Sequence, residues 1–247
     1  MTLSLPRGTQ LLPDPEAVAR AAADHLLVIC ATATQEKIAI CLAGGSTPKR
    51  LYQLLGSTDY RHRLPWERIH WFFGDERLVP LDDSRSNAGM AHAAFDDAPI
   101  PPANFHVIPT GEGAETGAAA YDRTLREFHG PGGFTGGYPL FDLVLLGLGG
   151  DGHTASLFPG TAALNEDKAL ATPVPEPGLE PFVPRITLTY PALGSARLVL
   201  FLITGAGKTE ALRRLAAGED LPAGKVASKG QLWWLIDAAA AGGGTRP

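Results

Sequence analysis

The stretch Gly147-Leu148-Gly149-Gly150-Asp151-Gly152-His153 combines bare backbone with a carboxylate and an imidazole. An imidazole can accept a proton near neutral pH, and a carboxylate close by can orient the ring. The same letters spell GxGxxG after the apolar run Phe141–Leu146, so a dinucleotide site has to be weighed. Such a site needs a helix opening at the third glycine and, about 20 residues on, a second strand ending in an acid. Pro159 interrupts that helix, and residues 161–170 offer no such strand. The loop therefore reads as a presenter of Asp151 and His153. General-base chemistry is the functional reading, and a structural or merely exposed histidine is the bland one.

Three further stretches carry features of anion binding. Gly44-Gly45-Ser46-Thr47-Pro48 offers glycine amides, two hydroxyls and a helix N-terminus to an oxyanion such as phosphate. Ordinary capping, with Thr47 as N-cap and Pro48 at the first helical position, explains the same residue types. Gly205-Ala206-Gly207-Lys208-Thr209 imitates the end of a Walker A loop, but the first glycine of that motif falls on Leu202, which disfavours a nucleoside triphosphate. Lys208 in a first helical turn opposes the helix dipole, a conflict that a bound phosphate would remove. Asp75-Glu76-Arg77 follows Phe73-Gly74 directly and is either a working charge cluster or an exposed, salt-bridged loop. The seven histidines and scattered acids form no HExxH or comparable array, so no metal is expected.

The elements that must position these residues follow from hydrophobic period and caps. Asp14-Pro15-Glu16 opens an alanine-rich helix running to about Thr32. Ile38–Leu42 is a short apolar strand, followed by the glycine turn and a helix with Leu51, Leu54 and Leu55 at helical spacing. Further strands are predicted at Ile69–Phe73, 105–108, Phe141–Leu146, 198–204 and 232–236, and helices at Asn87–Phe95, Ala114–Phe128 and 208–217. This alternation implies an α/β fold: three layers, with a mainly parallel open sheet and helices on both faces. In such a sheet ligands bind beyond the carboxyl ends of the strands. Residues 44–47, 74–77, 149–153 and 205–208 all occupy such ends and are expected to line one cleft. Residues 131–137 read as a flexible surface loop, and 173–184, with five prolines, as an irregular segment. Residues 242–247 read as a disordered tail, leaving 1–241 as a single domain.

A chain of 247 residues, 45% hydrophobic and 19% charged, is long enough for a substantial core. Neither apolar run, 143–148 or 198–203, approaches the roughly 18 residues that span a bilayer. The N-terminus has Arg7 as its one early basic residue and is broken by Pro6 and Pro13, so it offers no secretion signal. A soluble, cytoplasmic protein without a membrane partner is expected. A net charge of −5 without a basic cluster argues against nucleic acid as a partner, so an anionic ligand must be caught by local positive groups. Cys30 and Cys41 lack metal or redox spacing and read as reduced core residues.

Taken together, several segments closely resemble the 6-phosphogluconolactonases. They are Leu42-Ala43-Gly44-Gly45-Ser46-Thr47-Pro48, Trp71-Phe72-Phe73-Gly74-Asp75-Glu76-Arg77, Ser86-Asn87, the run from Gly147 through His153 to Pro159, Pro184-Arg185-Ile186-Thr187 and Gly207-Lys208-Thr209-Glu210. The match runs in order from about residue 38 to Asp237. The resemblance implies a fold shared with the glucosamine-6-phosphate deaminases and a substrate held by its phosphate. The residues matching the phosphate site are Gly44, Gly45, Ser46, Arg185 and Lys208, with Thr47 and Asn87 counted in the substrate-binding group. His153 matches the general base, with Asp151, Arg77 and Asp75 in the catalytic group. Arg185 precedes its strand, so it reaches the cleft only if that strand runs antiparallel or the preceding loop folds over the sheet edge.

What the resemblance implies is hydrolysis of 6-phospho-D-glucono-1,5-lactone to 6-phospho-D-gluconate in the oxidative pentose phosphate pathway, without cofactor, by a monomer or small homo-oligomer. The phosphate docks, His153 takes a proton from water, and hydroxide attacks the carbonyl. Arg77 or loop amides are candidate donors to the oxyanion, and His153 returns its proton to the ring oxygen. No GxSxG elbow is present. The deaminases are the nearest rival, but they carry a glutamate five residues past the histidine, where this chain has Phe158, and a tyrosine where it has Arg77. A non-catalytic sugar-phosphate sensor is the rival from another class, and it would not need His153.

Overall fold

Strands that are apolar at consecutive positions can leave neither face in water, so they must lie in a sheet covered on both sides. The computed structural model, which describes residues 5–128 and 139–243, builds such a sheet. In chain order the elements are β1 (Thr9–Leu12), α1 (Pro15–Thr32), β2 (Ile38–Leu42), α2 (Ser46–Gly56), α3 (Thr58–Arg61), β3 (Ile69–Phe73), β4 (Asp75–Arg77), α4 (Asn87–Phe95) and α5 (Ala114–Phe128). There follow β5 (Phe141–Leu146), β6 (Ala171–Val174), β7 (Arg185–Leu188), α6 (Tyr190–Gly194), β8 (Ala196–Ile203), α7 (Thr209–Ala216) and β9 (Gln231–Asp237).

Six strands form one sheet in the order β1-β9-β8-β5-β2-β3, and every pairing in it is parallel. β2 and β5 are buried at every position. On one face Trp71 packs against Phe95 of α4, and Tyr52 of α2 stacks on the same ring. On the other face Phe72 meets Phe128 of α5 edge-on. Helices therefore cover both faces, as the apolar runs require. The chain leaves β2 for β3 on one side and later returns to β5 on the other, so the strand order reverses between β2 and β5. Ligands of open α/β sheets bind at such a reversal.

Several sequence expectations are corrected. Residues 105–108 are not a strand: Phe105 makes one parallel bridge to Trp71, and His106 N–H donates to Trp71 O before the segment turns away. The next outward-facing groups of that edge, on Phe73, are taken by the Tyr121 hydroxyl, so no ladder continues. A second sheet of three antiparallel strands, β4-β7-β6, was not foreseen. Its strands are only three or four residues long, too short for a period to show in the sequence. Pro173 belongs to β6, which tolerates it as an edge strand, and the irregular segment is shortened accordingly. β1 was also missed, since the half-exposed Thr9–Leu12 has no apolar pattern of its own. The expected loop at 131–137 lies outside the described residues, as do residues 244–247 of the expected tail. Gly242 and Gly243, by contrast, donate to Ala239 O and Ala238 O in a turn.

At the β3 edge His70 Nδ1 lies 2.9 Å from His106 Nε2, and His106 stacks on Phe72. Burial lowers the pKa of both rings, His70 to about 4, with His106 and Lys37 adding to the effect on His70. An unfolded histidine titrates near 6.5, so the unfolded chain binds more protons below that pH and stability falls as pH drops from about 6.5 toward 4. The thermal midpoint of the wild type should decline through this window more steeply than that of His70→Gln. Parallel pH profiles for the two proteins in calorimetry would show that the pair carries no such linkage.

Candidate active site

Beyond the carboxyl ends of β2, β3, β5 and β8 lies a cavity of about 400 Å³, within the size range of small-molecule sites. All four anticipated stretches contribute to it, through Gly44, Gly45, Ser46 and Thr47, through Asp75 and Arg77, through Gly149 and His153, and through Lys208. Arg185 also lines it.

The glycine turn after β2 differs in detail from the expected cap. Helix α2 begins at Ser46, with Gly45 at the N-cap and no side-chain cap, so Thr47 and Pro48 lie inside the first turn. Gly45 has φ +106, a conformation that L side chains rarely adopt. The first-turn amides of α2 are thus left without a side-chain acceptor at the cavity wall, where an anion is favoured. Thr47 faces across to Thr204, hydroxyl to hydroxyl at 2.6 Å.

After β5, the loop turns back on itself through Gly149 N–H to His153 O and Gly152 N–H to Gly149 O. A Cβ on Gly149 would lie 2.0 Å from His153 Nδ1, so only glycine lets the ring sit where it does. His153 Nδ1 is 2.6 Å from Asp151 Oδ1, which also accepts from His153 N–H at 3.1 Å. With Nδ1–H donating to the carboxylate, Nε2 is left as the nitrogen with a free lone pair. Asp151 itself is not among the lining residues; it holds the ring from behind. Phe158 packs beneath His153 at 4.5 Å between ring centroids, and the Arg185 guanidinium lies 5.1 Å from the same ring.

The charge triplet is no exposed loop. Asp75 and Glu76 are buried, in β4. Glu76 accepts from Arg77 N–H, Asn87 N–H, Ala88 N–H and Ser86 Oγ–H, which pins β4 to the N-terminus of α4. Burial raises the Glu76 pKa, opposed by these four donors. Asp75 accepts from Ser156 Oγ–H at 2.6 Å and from Asn87 Nδ2–H at 3.1 Å. Asn87, counted with the substrate-binding residues, is not in the cavity lining. Its amide is spent on Asp75, and its Oδ1 fills the space behind Gly44, where a Cβ would approach to 2.1 Å. Ser156 and Thr187, which donates its hydroxyl to Leu188 O and accepts from Ser156 N–H, were missed as supports. Their partners are distant in sequence, and no local signal marks them.

Arg185 does not precede its strand, as the sequence suggests, but is the first residue of β7, and it reaches the cavity because β7 runs antiparallel to β4. Arg77 and Arg185 are direct cross-strand partners. Like charges placed directly opposite repel. Arg185 is 97% buried (3% exposed), and the Nε atoms of both arginines are buried without a partner. Arg77 donates to Arg85 O, and Arg185 to Leu179 O and Pro181 O, all neutral carbonyls. Among the described residues none of Arg77, Arg185 and Lys208 is in an ion pair. Burial lowers the Arg185 pKa and the nearby Arg77 lowers it further, while Asp75 opposes both. Among the described residues no three His, Cys, Asp or Glu side chains gather as metal ligands.

The strand-order reversal, the uncapped helix N-terminus, the facing arginines and the carboxylate-oriented imidazole place the chain among α/β proteins with one cleft at the carboxyl ends of a parallel sheet. The family model for glucosamine-6-phosphate isomerases/6-phosphogluconolactonase matches residues 13–234, and the chain belongs to that family. It is 40% identical over 242 residues to the 6-phosphogluconolactonase of Nostoc sp., covering 95% of this chain and 97% of the relative. The structure of 6-phosphogluconolactonase from Trypanosoma cruzi superposes with a TM-score of 0.84 at 31% identity, covering 99% of each chain. A monomeric glucosamine-6-phosphate deaminase superposes with a TM-score of 0.77 at 22% identity, over 96% of this chain and 99% of the other, and shares the fold.

If the two arginines await an anion, inorganic phosphate should stabilise the folded protein. A free concentration ten times Kd adds about 1.4 kcal/mol. The thermal midpoint should rise with phosphate but not with chloride at matched ionic strength, and Arg185→Met should lose the effect. An equal rise in the variant would remove Arg185 from the anion site.

Proposed function

We propose that the chain hydrolyses 6-phospho-D-glucono-1,5-lactone to 6-phospho-D-gluconate, as an enzyme of the oxidative pentose phosphate pathway. The observation that carries this reading is the Arg77–Arg185 pair, two facing cations that line one cavity together with a carboxylate-oriented imidazole. A phosphorylated ester of sugar size uses both features. Its dianion neutralises Arg185 and Lys208, and its other end lies within reach of His153 and Arg77.

The 6-phosphate docks on the amides of Gly45 and Ser46, on Arg185 and on Lys208, and charge-assisted hydrogen bonds fix its position. His153 Nε2 takes a proton from water, while Asp151 holds the ring and stabilises the imidazolium. The hydroxide adds to the lactone carbonyl. Negative charge then grows on the carbonyl oxygen, where Arg77 and loop amides supply donors. His153 returns its proton to the ring oxygen as the C–O bond breaks, so the base ends the cycle as it began. Asp75, held by Ser156 and Asn87, supports the Arg77 side of the wall.

The chain works in the cytoplasm, a location that fits two buried, unpaired cysteines. Residues 1–241 act as one catalytic domain. A monomer or small homo-oligomer suffices, because one chain supplies every wall of the cavity described.

A coupled assay with freshly generated lactone, corrected for spontaneous hydrolysis, tests the reading. His153→Ala should lower kcat by about 10² to 10⁴, the usual worth of a positioned base, with 6-phosphogluconate still bound. A variant within a few-fold of wild type would remove His153 as the base. EDTA should leave the rate unchanged, since the water is activated by His153; loss restored by a divalent ion would contradict this. Glucosamine 6-phosphate should release no ammonia, because deamination needs a proton relay for ring opening and Phe158 neither donates nor accepts a proton. Ammonia release at a rate comparable to lactone hydrolysis would move the chain to the deaminase side of the family.

A further inference from the structure

Two tyrosines make the same unusual contact at neighbouring strand ends. Tyr52, from α2, accepts from Ala43 N–H at 2.9 Å and donates to Ala43 O at 2.8 Å through one hydroxyl. Tyr121, from α5, accepts from Phe73 N–H at 2.8 Å and donates to Phe73 O at 3.1 Å. Both side chains are fully buried, and burial raises both phenol pKa values well above the ordinary range, so each hydroxyl keeps the proton it donates.

These contacts fall where the parallel ladder ends. Leu42 and Phe73 are the last paired residues of β2 and β3, and Gly74 N–H closes the pair on Leu42 O. Beyond them the chains diverge, one into the glycine turn and α2, the other into β4. Ala43 is buried but lies outside the ladder, and Phe73 faces outward from the edge strand. A buried backbone N–H and C=O both need a partner, and a phenol hydroxyl is both acceptor and donor, so one tyrosine replaces a missing strand residue.

The position of each clamp ties it to the site. Ala43 is bonded directly to Gly44, and Phe73 is separated from Asp75 by Gly74 alone. We infer that Tyr52 and Tyr121 are positioning residues: their hydroxyls set the glycine turn and the Asp75–Arg77 strand at the separation that a bound phosphate spans. Removing either hydroxyl leaves two backbone groups unpartnered and lets one wall of the anion site shift. Neither phenol touches the reacting atoms. The phosphate is held equally in ground and transition states, so the loss at Tyr52 appears in KM rather than kcat, whereas Tyr121 also seats the strand of the oxyanion donor Arg77 and its loss both raises KM and lowers kcat.

The inference rests on the phosphate site described above, and the test separates the two. Tyr52→Phe and Tyr121→Phe should each raise KM for the lactone about tenfold and weaken inorganic phosphate binding by a similar factor, with kcat within about threefold of wild type for Tyr52→Phe and lowered further for Tyr121→Phe, whose strand carries Arg77. Ile38→Ala, at the opposite end of β2, serves as the control for stability: it should lower the thermal midpoint at least as far and leave KM unchanged. If Arg185→Met leaves phosphate binding intact, the phosphate site itself is wrong. If Arg185→Met weakens it while both phenylalanine variants fold and keep the wild-type KM, the tyrosine inference alone is overturned. Should the phenylalanine variants not fold, amide exchange in the unmutated protein decides: phosphate should slow exchange at Ala43 and Phe73, and unchanged rates at saturation would refute the coupling.

Discussion

Reversal of the strand order between β2 and β5 is the constraint on which the site depends. Six parallel strands bring their carboxyl ends to one edge, and at the reversal adjacent strands diverge there. Divergence ends the hydrogen-bond ladder inside the protein, so backbone groups must find other partners. Tyr52 satisfies such an end at Ala43, and Tyr121 does the same for the open outer edge of β3 at Phe73. At the end of β9 the Asp237 carboxylate accepts from Gly205 N–H, which seats the loop that carries Lys208. The amides at the start of α2 are left open at the cavity wall, since no side chain caps them. One geometric fact thus creates both the cavity and the donors that line it.

Electrostatics then decide what the cavity takes. The chain as a whole is acidic, with a net charge of −5, yet Arg77, Arg185 and Lys208 meet at one wall. Arg185 is buried and Arg77 half-buried, and like charges set opposite one another persist only if the surrounding structure holds them there. Glu76 supplies the holding. Its four accepted hydrogen bonds fix β4 against α4, and β4 in turn sets Arg77 opposite Arg185. Asp75 lies close enough to offset part of the positive charge without pairing with it. The second sheet, though only three short strands, exists in the right place to put the two arginines face to face.

Phe158 links the two halves of the site. Its ring lies under His153 and against the Arg185 guanidinium, so the imidazole and the cation share one apolar support. Packing of this kind fixes both side chains at little cost, since an aromatic ring brings area without a polar group to satisfy. A carboxylate in its place would sit between an imidazole and a cation and change the protonation of both. That single position therefore bears on which chemistry the fold supports.

The amino-acid sequence by itself determined the parallel sheet, since runs such as Ile38–Leu42 and Phe141–Leu146 are apolar at consecutive positions and helices such as Asn87–Phe95 begin and end on local signals. It also placed Gly45, His153 and Lys208 at strand ends, because glycine turns and helix starts are written in adjacent residues. Tertiary structure alone decided the rest. The short strands β4, β6 and β7 carry no period of their own: β7 forms against β4 from far along the chain, and β6 joins it across the intervening loop. The place of Arg185 in the cavity, the seat of Asn87 behind Gly44 and the tyrosine clamps all depend on such distant partners. Local sequence records backbone preference and periodicity. Which buried groups must satisfy one another is settled only when the strands have been laid side by side.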